Sequence, residues 1–187
     1  MRFDIIIGNP PYGVGANMAI KVLNKAAEHT DDIRMVLPLS FRKAAVLNKV
    51  SIDMELEEDE RLPDDTFPRS IRAVKQHWKR TGRTRKIIPL PTQHPDFQFL
   101  KYEDRDEATL FIGGAGQGPA GKVKTEGYDH YAPGHHWIKC SEEVKERIIS
   151  LAPEFRAEAL TVCCLPGLSK SAIIQIYRSN YEEVQGD

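Results

Sequence analysis

Four consecutive residues near the start of the chain, Asn9, Pro10, Pro11 and Tyr12, combine the means to hold an amine with the means to hold a ring. The Asn9 side-chain oxygen is one hydrogen-bond acceptor, and a main-chain carbonyl in the proline turn, that of Pro10, is a second. Two acceptors on one turn suit a nitrogen that carries two hydrogens, because together they fix the direction of its lone pair. The prolines set φ and stiffen the loop before any ligand arrives. Tyr12 offers a flat face for stacking.

Such a turn needs a rigid base, and the flanking residues supply one. Phe3 to Ile7 (FDIII) is an apolar, β-branched run that stops at GNPPYG, so it reads as a buried strand ending in the turn. Asn17 is placed to cap a helix through about His29, with Ala19, Val22, Leu23, Ala26 and Ala27 at helical spacing. Ile33 to Leu37 reads as a second strand, closed by Pro38, before a short helical stretch over 42–50. Strand, helix, strand argues for a parallel pair in an α/β domain.

The segment FDIIIGNPPYG resembles the catalytic motif of the DNA methyltransferases that modify N6 of adenine, and the likeness extends more loosely through the next helix and the strand IRMVLPLSF, about 45 residues in all. The resemblance implies an α/β fold containing a partial Rossmann-like methyltransferase sheet, followed by an irregular, helix-containing C-terminal extension. It implies Asn9, Pro10, Pro11 and Tyr12 as catalytic residues acting on an adenine rotated out of the duplex, with S-adenosyl-L-methionine as methyl donor and DNA as partner, as in restriction-modification. A second aromatic wall is expected from the family, for which Phe97 and Phe99 are the candidates and Phe67 the alternative. Those two phenylalanines also suit a core. Only eight residues precede Asn9, where the family places the donor's glycine loop, so that loop belongs to another chain, is lost, or follows in permuted order. Gly113 to Gly118 (GGAGQG) follows the strand-like ATLFI, but the residues after it lack helical period. The bare outer edge of the first strand predicts self-association or a second subunit. A relative that keeps the turn without binding the donor is the alternative.

Charge is balanced overall, 26 Lys and Arg against 27 Asp and Glu in 187 residues, and segregated locally. Eight acidic residues lie between Asp53 and Asp65. The following stretch, 69–86, holds Arg69, Arg72, Lys75, Lys79, Arg80, Arg83, Arg85 and Lys86 with no carboxylate, which marks it for the DNA backbone. The competing reading makes it a solvated helix face or the partner of the acidic run. His130, His135, His136 and Cys140 match no zinc spacing, so no metal is expected. Cys163 and Cys164 suit buried small hydrophobes. Two parts are expected, a catalytic segment over 1–125 and a helical appendage over 126–187. Helices are expected at Ser141 to Leu151 and Ser169 to about Arg178, and a strand at Ala108 to Ile112. No apolar run reaches membrane-spanning length, which predicts a cytoplasmic chain.

Overall fold

The computed structural model of the chain describes residues 1–67, 71–116, 118–127, 134–161 and 165–182. It divides into two compact units, the first Met1–Leu90 and the second built from Pro91–Thr161 and the chain from Leu165 onward. The division thus falls at Leu90 and Pro91, not near residue 125. The reason is pairing: strands on both sides of residue 125 belong to one sheet.

The first unit is a four-stranded sheet in the order β1-β2-β4-β3. β1 (Ile6–Gly8) runs parallel to β2 (Asp32–Pro38) through helix α1 (Asn17–Ala27). That is the expected strand, helix, strand unit, and the mixed α/β class follows from it. The ladder of β1 is shorter and later than Phe3 to Ile7, because the Phe3 amide donates to His29 O (2.8 Å) rather than into the sheet. α1 turns Ala19, Ile20, Leu23, Ala26 and Ala27 inward against Ile33, Met35, Leu37 and Trp78. Burying this stripe gives the helix its place, as propensity alone would not. The stretch expected to be helical over 42–50 is a 3-10 turn (Leu39–Arg42) followed by the single-turn α2 (Ala44–Leu47).

The charged runs become strands. β3 (Glu55–Arg61) and β4 (Ala73–Lys79) pair antiparallel, with β4 also antiparallel to β2. Glu60 stands directly opposite Lys75, and an irregularity at Glu57 shifts the register between Leu56 and Glu58. Neither run carries the period of a helix, and β4 alternates enough to bury Val74, Gln76 and Trp78.

The second unit holds a sheet in the order β5-β8-β6-β7, made of β5 (Phe97–Leu100), β6 (Leu110–Gly113), β7 (Val123–Lys124) and β8 (His135–Cys140). One face packs Phe97, Leu110, Ile112 and Ile138 on three helices, α3 (Glu142–Ser150), α4 (Ala152–Ala159) and α5 (Lys170–Tyr181). Ser141 and Ser169 cap α3 and α5, accepting from the Val144 and Ala172 amides. Among the described residues no helix is long and apolar enough to cross a membrane.

Candidate functional site

The proline turn leaves the carboxyl end of β1 and is held on two sides. Pro10 is buried, Asn9 and Pro11 are exposed, and Tyr12 is half-buried against the core of the first unit. The Tyr12 carbonyl accepts from the Met18 and Ala19 amides (3.2 and 3.4 Å), so the turn itself caps α1. This corrects the expected capping by Asn17, which is instead the first helical residue and makes no side-chain cap bond. A carbonyl already aimed at the helix end satisfies the orphan amides that a side chain would otherwise take. Between turn and helix the chain passes through left-handed conformations at Gly13 (φ 67°), Gly15 and Ala16. Gly13 is required there twice over, since a Cβ would also lie 2.7 Å from Met18 Cγ.

The result is a stiff loop that presents the Asn9 amide outward from a buried proline anchor. Tyr12 is less available than a free stacking face, because its hydroxyl oxygen is buried and its ring packs on the core. The 3-10 turn over Val14–Ala16 lies beside the one over Leu39–Arg42, so the loops that follow the two parallel strands share one end of the sheet. Among the described residues β1 pairs with β2 alone, and Ile5 and Ile7 are exposed along it, Ile7 by 72%.

No family model, curated protein or solved structure matches this chain. Its site therefore rests on geometry.

The remaining candidates are dispersed. Phe97 is buried, stacked on His94 (4.7 Å between centroids, 11° between planes), and Phe99 meets it edge-on at 5.6 Å. Phe97 belongs to the core of the second unit and half-buried Phe99 packs against it, while the turn belongs to the first. Phe67 is half-buried in the first unit, after β3.

Four residues of the basic stretch, Lys75, Lys79, Arg80 and Arg83, are ion-pair partners of the acidic run. Lys75 lies 3.7 Å from Glu60, Lys79 lies 3.1 Å from Glu57, and Arg83 lies 3.3 Å from Glu55. Arg80 reaches Asp31 (2.8 Å), Asp53 and the Ala27 carbonyl. Arg85 is turned inward, donating to the carbonyls of Leu47, Val50 and Met54, and its partial burial pushes the guanidinium pKa down. Arg72 is half-buried, Lys86 is exposed, and Arg69 lies outside the described residues. Sequence could not decide this, because opposite charges 15 to 28 residues apart meet only once strands pair.

His135 and His136 occupy successive positions on β8 and so face opposite sides of the sheet. His136 donates from Nε2 to the Leu168 carbonyl (2.8 Å), and burial pushes its pKa down. The Cys140 thiol is pushed up by burial and sits 3.2 Å from Thr109 Oγ1. His130, Cys163 and Cys164 lie outside the described residues. Gly113–Gly118 does not fit a methyl-donor loop. The amides of Gly113, Gly114 and Gly116 donate to the Lys122, Gly134 and Pro166 carbonyls, and the chain passes on to β7 rather than into a helix.

Proposed function

We propose that the chain is an adenine-N6 DNA methyltransferase, or the catalytic segment of one, working at the Asn9 to Tyr12 turn. The observation that carries the reading is the exposed Asn9 amide on a loop anchored by buried Pro10 and tied through the Tyr12 carbonyl to α1. Asn9 Oδ1 and the Pro10 carbonyl each accept one hydrogen of the exocyclic amine. That holds the nitrogen pyramidal and directs its lone pair at an incoming methyl group, which is positioning rather than acid or base catalysis. The first sheet is then part of a Rossmann-like methyltransferase sheet. Support comes from the parallel β1-α1-β2 unit and from the place of the turn, beyond the carboxyl end of a parallel strand, where ligands of open α/β sheets bind.

S-adenosyl-L-methionine would supply the methyl group. Since Gly113–Gly118 does not fit it, the donor would be held by other residues or by another chain. The second reading makes the chain a non-catalytic, methyltransferase-like DNA-binding or partner subunit that does not bind the donor, favoured by the edge of β1 that pairs with no strand among the described residues and by the exposed Ile5 and Ile7 beside it.

Calorimetric titration with S-adenosyl-L-methionine, followed by transfer of labelled methyl to adenine-containing duplex, tests both readings. Saturable donor binding and transfer support the enzyme. Salt-sensitive DNA binding without donor binding supports the subunit. Asn9→Ala should abolish transfer while leaving the far-ultraviolet circular dichroism unchanged, because the side chain is exposed. Full activity in that variant removes Asn9 from the mechanism.

A further inference from the structure

The second sheet carries a cleft that the methyltransferase reading does not use. Strand alternation places it. Phe111 stands opposite Lys124 on one side and Trp137 on the other, and Gly113 stands opposite His135. Residues two apart on a strand share a face, so Lys122 and Lys124 of the β7 segment, Phe111 and Gly113 of β6, and His135 and Trp137 of β8 lie on one side of the sheet. The ring contacts agree, with Phe111 5.1 Å from His135 and 5.0 Å from Trp137. Glycine at 113 leaves a gap in the row between Lys122 and His135. Pro119 folds over that gap so closely that a Cβ on Gly113 would lie 1.9 Å from the Pro119 carbonyl oxygen.

What remains is a cavity of about 180 Å³ lined by Phe111, Gly113, Gly118, Pro119, Lys122, Lys124 and His135. Its volume equals about six water molecules in the liquid. Two ammonium groups and an imidazole border it, and among the described residues no carboxylate lines it. Among the described residues neither lysine has an ion-pair partner, and His135 Nδ1 is buried without a hydrogen-bond partner. Two like charges gathered at one cleft repel unless an anion joins them, and a buried imidazole nitrogen without a partner is costly.

We propose that this cleft is a binding site for a phosphate group, held by Lys122, Lys124 and His135 on the Phe111 floor. The ligand chemistry is a compact tetrahedral oxyanion. Several oxygens meet donors from two strands, the lysines act as point charges, and among the described residues no acid lines the cleft to turn an anion away. The phosphate comes either from a free mononucleotide or inorganic phosphate, or from the backbone of a nucleic acid.

Calorimetric titration of the full chain with inorganic phosphate in chloride buffer reads the site directly, together with the shift of the His135 ring resonances. Saturable binding that moves those resonances is expected. The double variant Lys122→Gln with Lys124→Gln should lose about tenfold or more in phosphate affinity, as expected for two charge-assisted contacts at a partly exposed site. Its circular dichroism melt should stay at the wild-type temperature, since both side chains are exposed. Absence of saturable binding overturns the proposal, as does equal affinity in the double variant. Competition then assigns the source. Displacement of phosphate that strengthens with oligonucleotide length supports a nucleic-acid backbone at this site, and displacement by mononucleotides equal to that by longer strands supports a free small ligand. Asn9→Ala should leave phosphate binding unchanged, so this test stands or falls independently of the methyl-transfer reading.

Discussion

Arg85 separates a structural reading of the basic stretch from a DNA-binding one. Its Nη2 donates to the carbonyls of Leu47 (2.9 Å) and Val50 (3.1 Å), its Nε to that of Met54 (3.2 Å), and its guanidinium lies 5.9 Å from the Trp78 ring centre. One cation thus gathers the carbonyls that end α2 and the turn after it. A hydrogen bond to a charged group contributes about 1.5 to 3 kcal/mol. Three bonds to one partly exposed cation are not additive, and water can replace some of them, so Arg85→Ala should cost the first unit about 2 to 4 kcal/mol. Arg85→Lys should recover less than half of this, because an ammonium cannot reach three carbonyls with a planar fork. The assay is urea unfolding followed by tryptophan fluorescence in a Trp137→Phe background, which leaves Trp78 as the only tryptophan. Duplex binding is measured alongside at low salt. The reasoning is refuted if Arg85→Ala shifts stability by less than about 0.5 kcal/mol, the range of a featureless surface change, while DNA affinity collapses.

Two further predictions follow from the same geometry. Glu57→Gln combined with Glu60→Gln releases Lys79 and Lys75 from their carboxylates, so non-specific duplex binding should strengthen and its log-log salt slope should steepen by about 1 to 2. An unchanged slope would show that the strand pairing does not neutralise those lysines. Burial holds the His136 pKa below the ordinary histidine value of about 6.5, whereas the unfolded chain protonates normally. The unfolded state therefore binds more protons as pH falls through that value, and the melting temperature of the second unit should drop below about pH 6.5. His136→Gln, which can still donate to the Leu168 carbonyl, should flatten that acid slope. An identical slope in the variant would assign it to other groups.

The first strand, helix and second strand were readable because each carries its own signal. Ile5, Ile6 and Ile7 with the prolines after them, and the Ala19, Leu23, Ala26 spacing, are local patterns that need no partner to be recognised. The helix α5 behind Ser169 and the apolar side of α3 were readable for the same reason. β5, β7, β8 and α4 were not singled out. β7 is two residues long, and β8 alternates histidines, Trp137 and Lys139 in a way that fits strand or loop until Phe97–Leu100 and Leu110–Gly113 close on either side of it.

The residues of the proline turn, and hence the amine-holding chemistry open to it, follow from local covalent constraint: proline fixes φ, and Asn9 carries its own acceptor wherever the turn is placed. Which charges are free is another matter. Lys75, Lys79, Arg80 and Arg83 look like an anion-binding surface in one dimension, and become ion-pair partners of Glu60, Glu57, Asp31 and Glu55 only when the strands of the first sheet pair. Lys122, Lys124 and His135 stand together only because β7, β6 and β8 lie side by side with a glycine between them. Electrostatic energy depends on distance in space, and strand register, which is set by burial across the whole sheet, determines that distance.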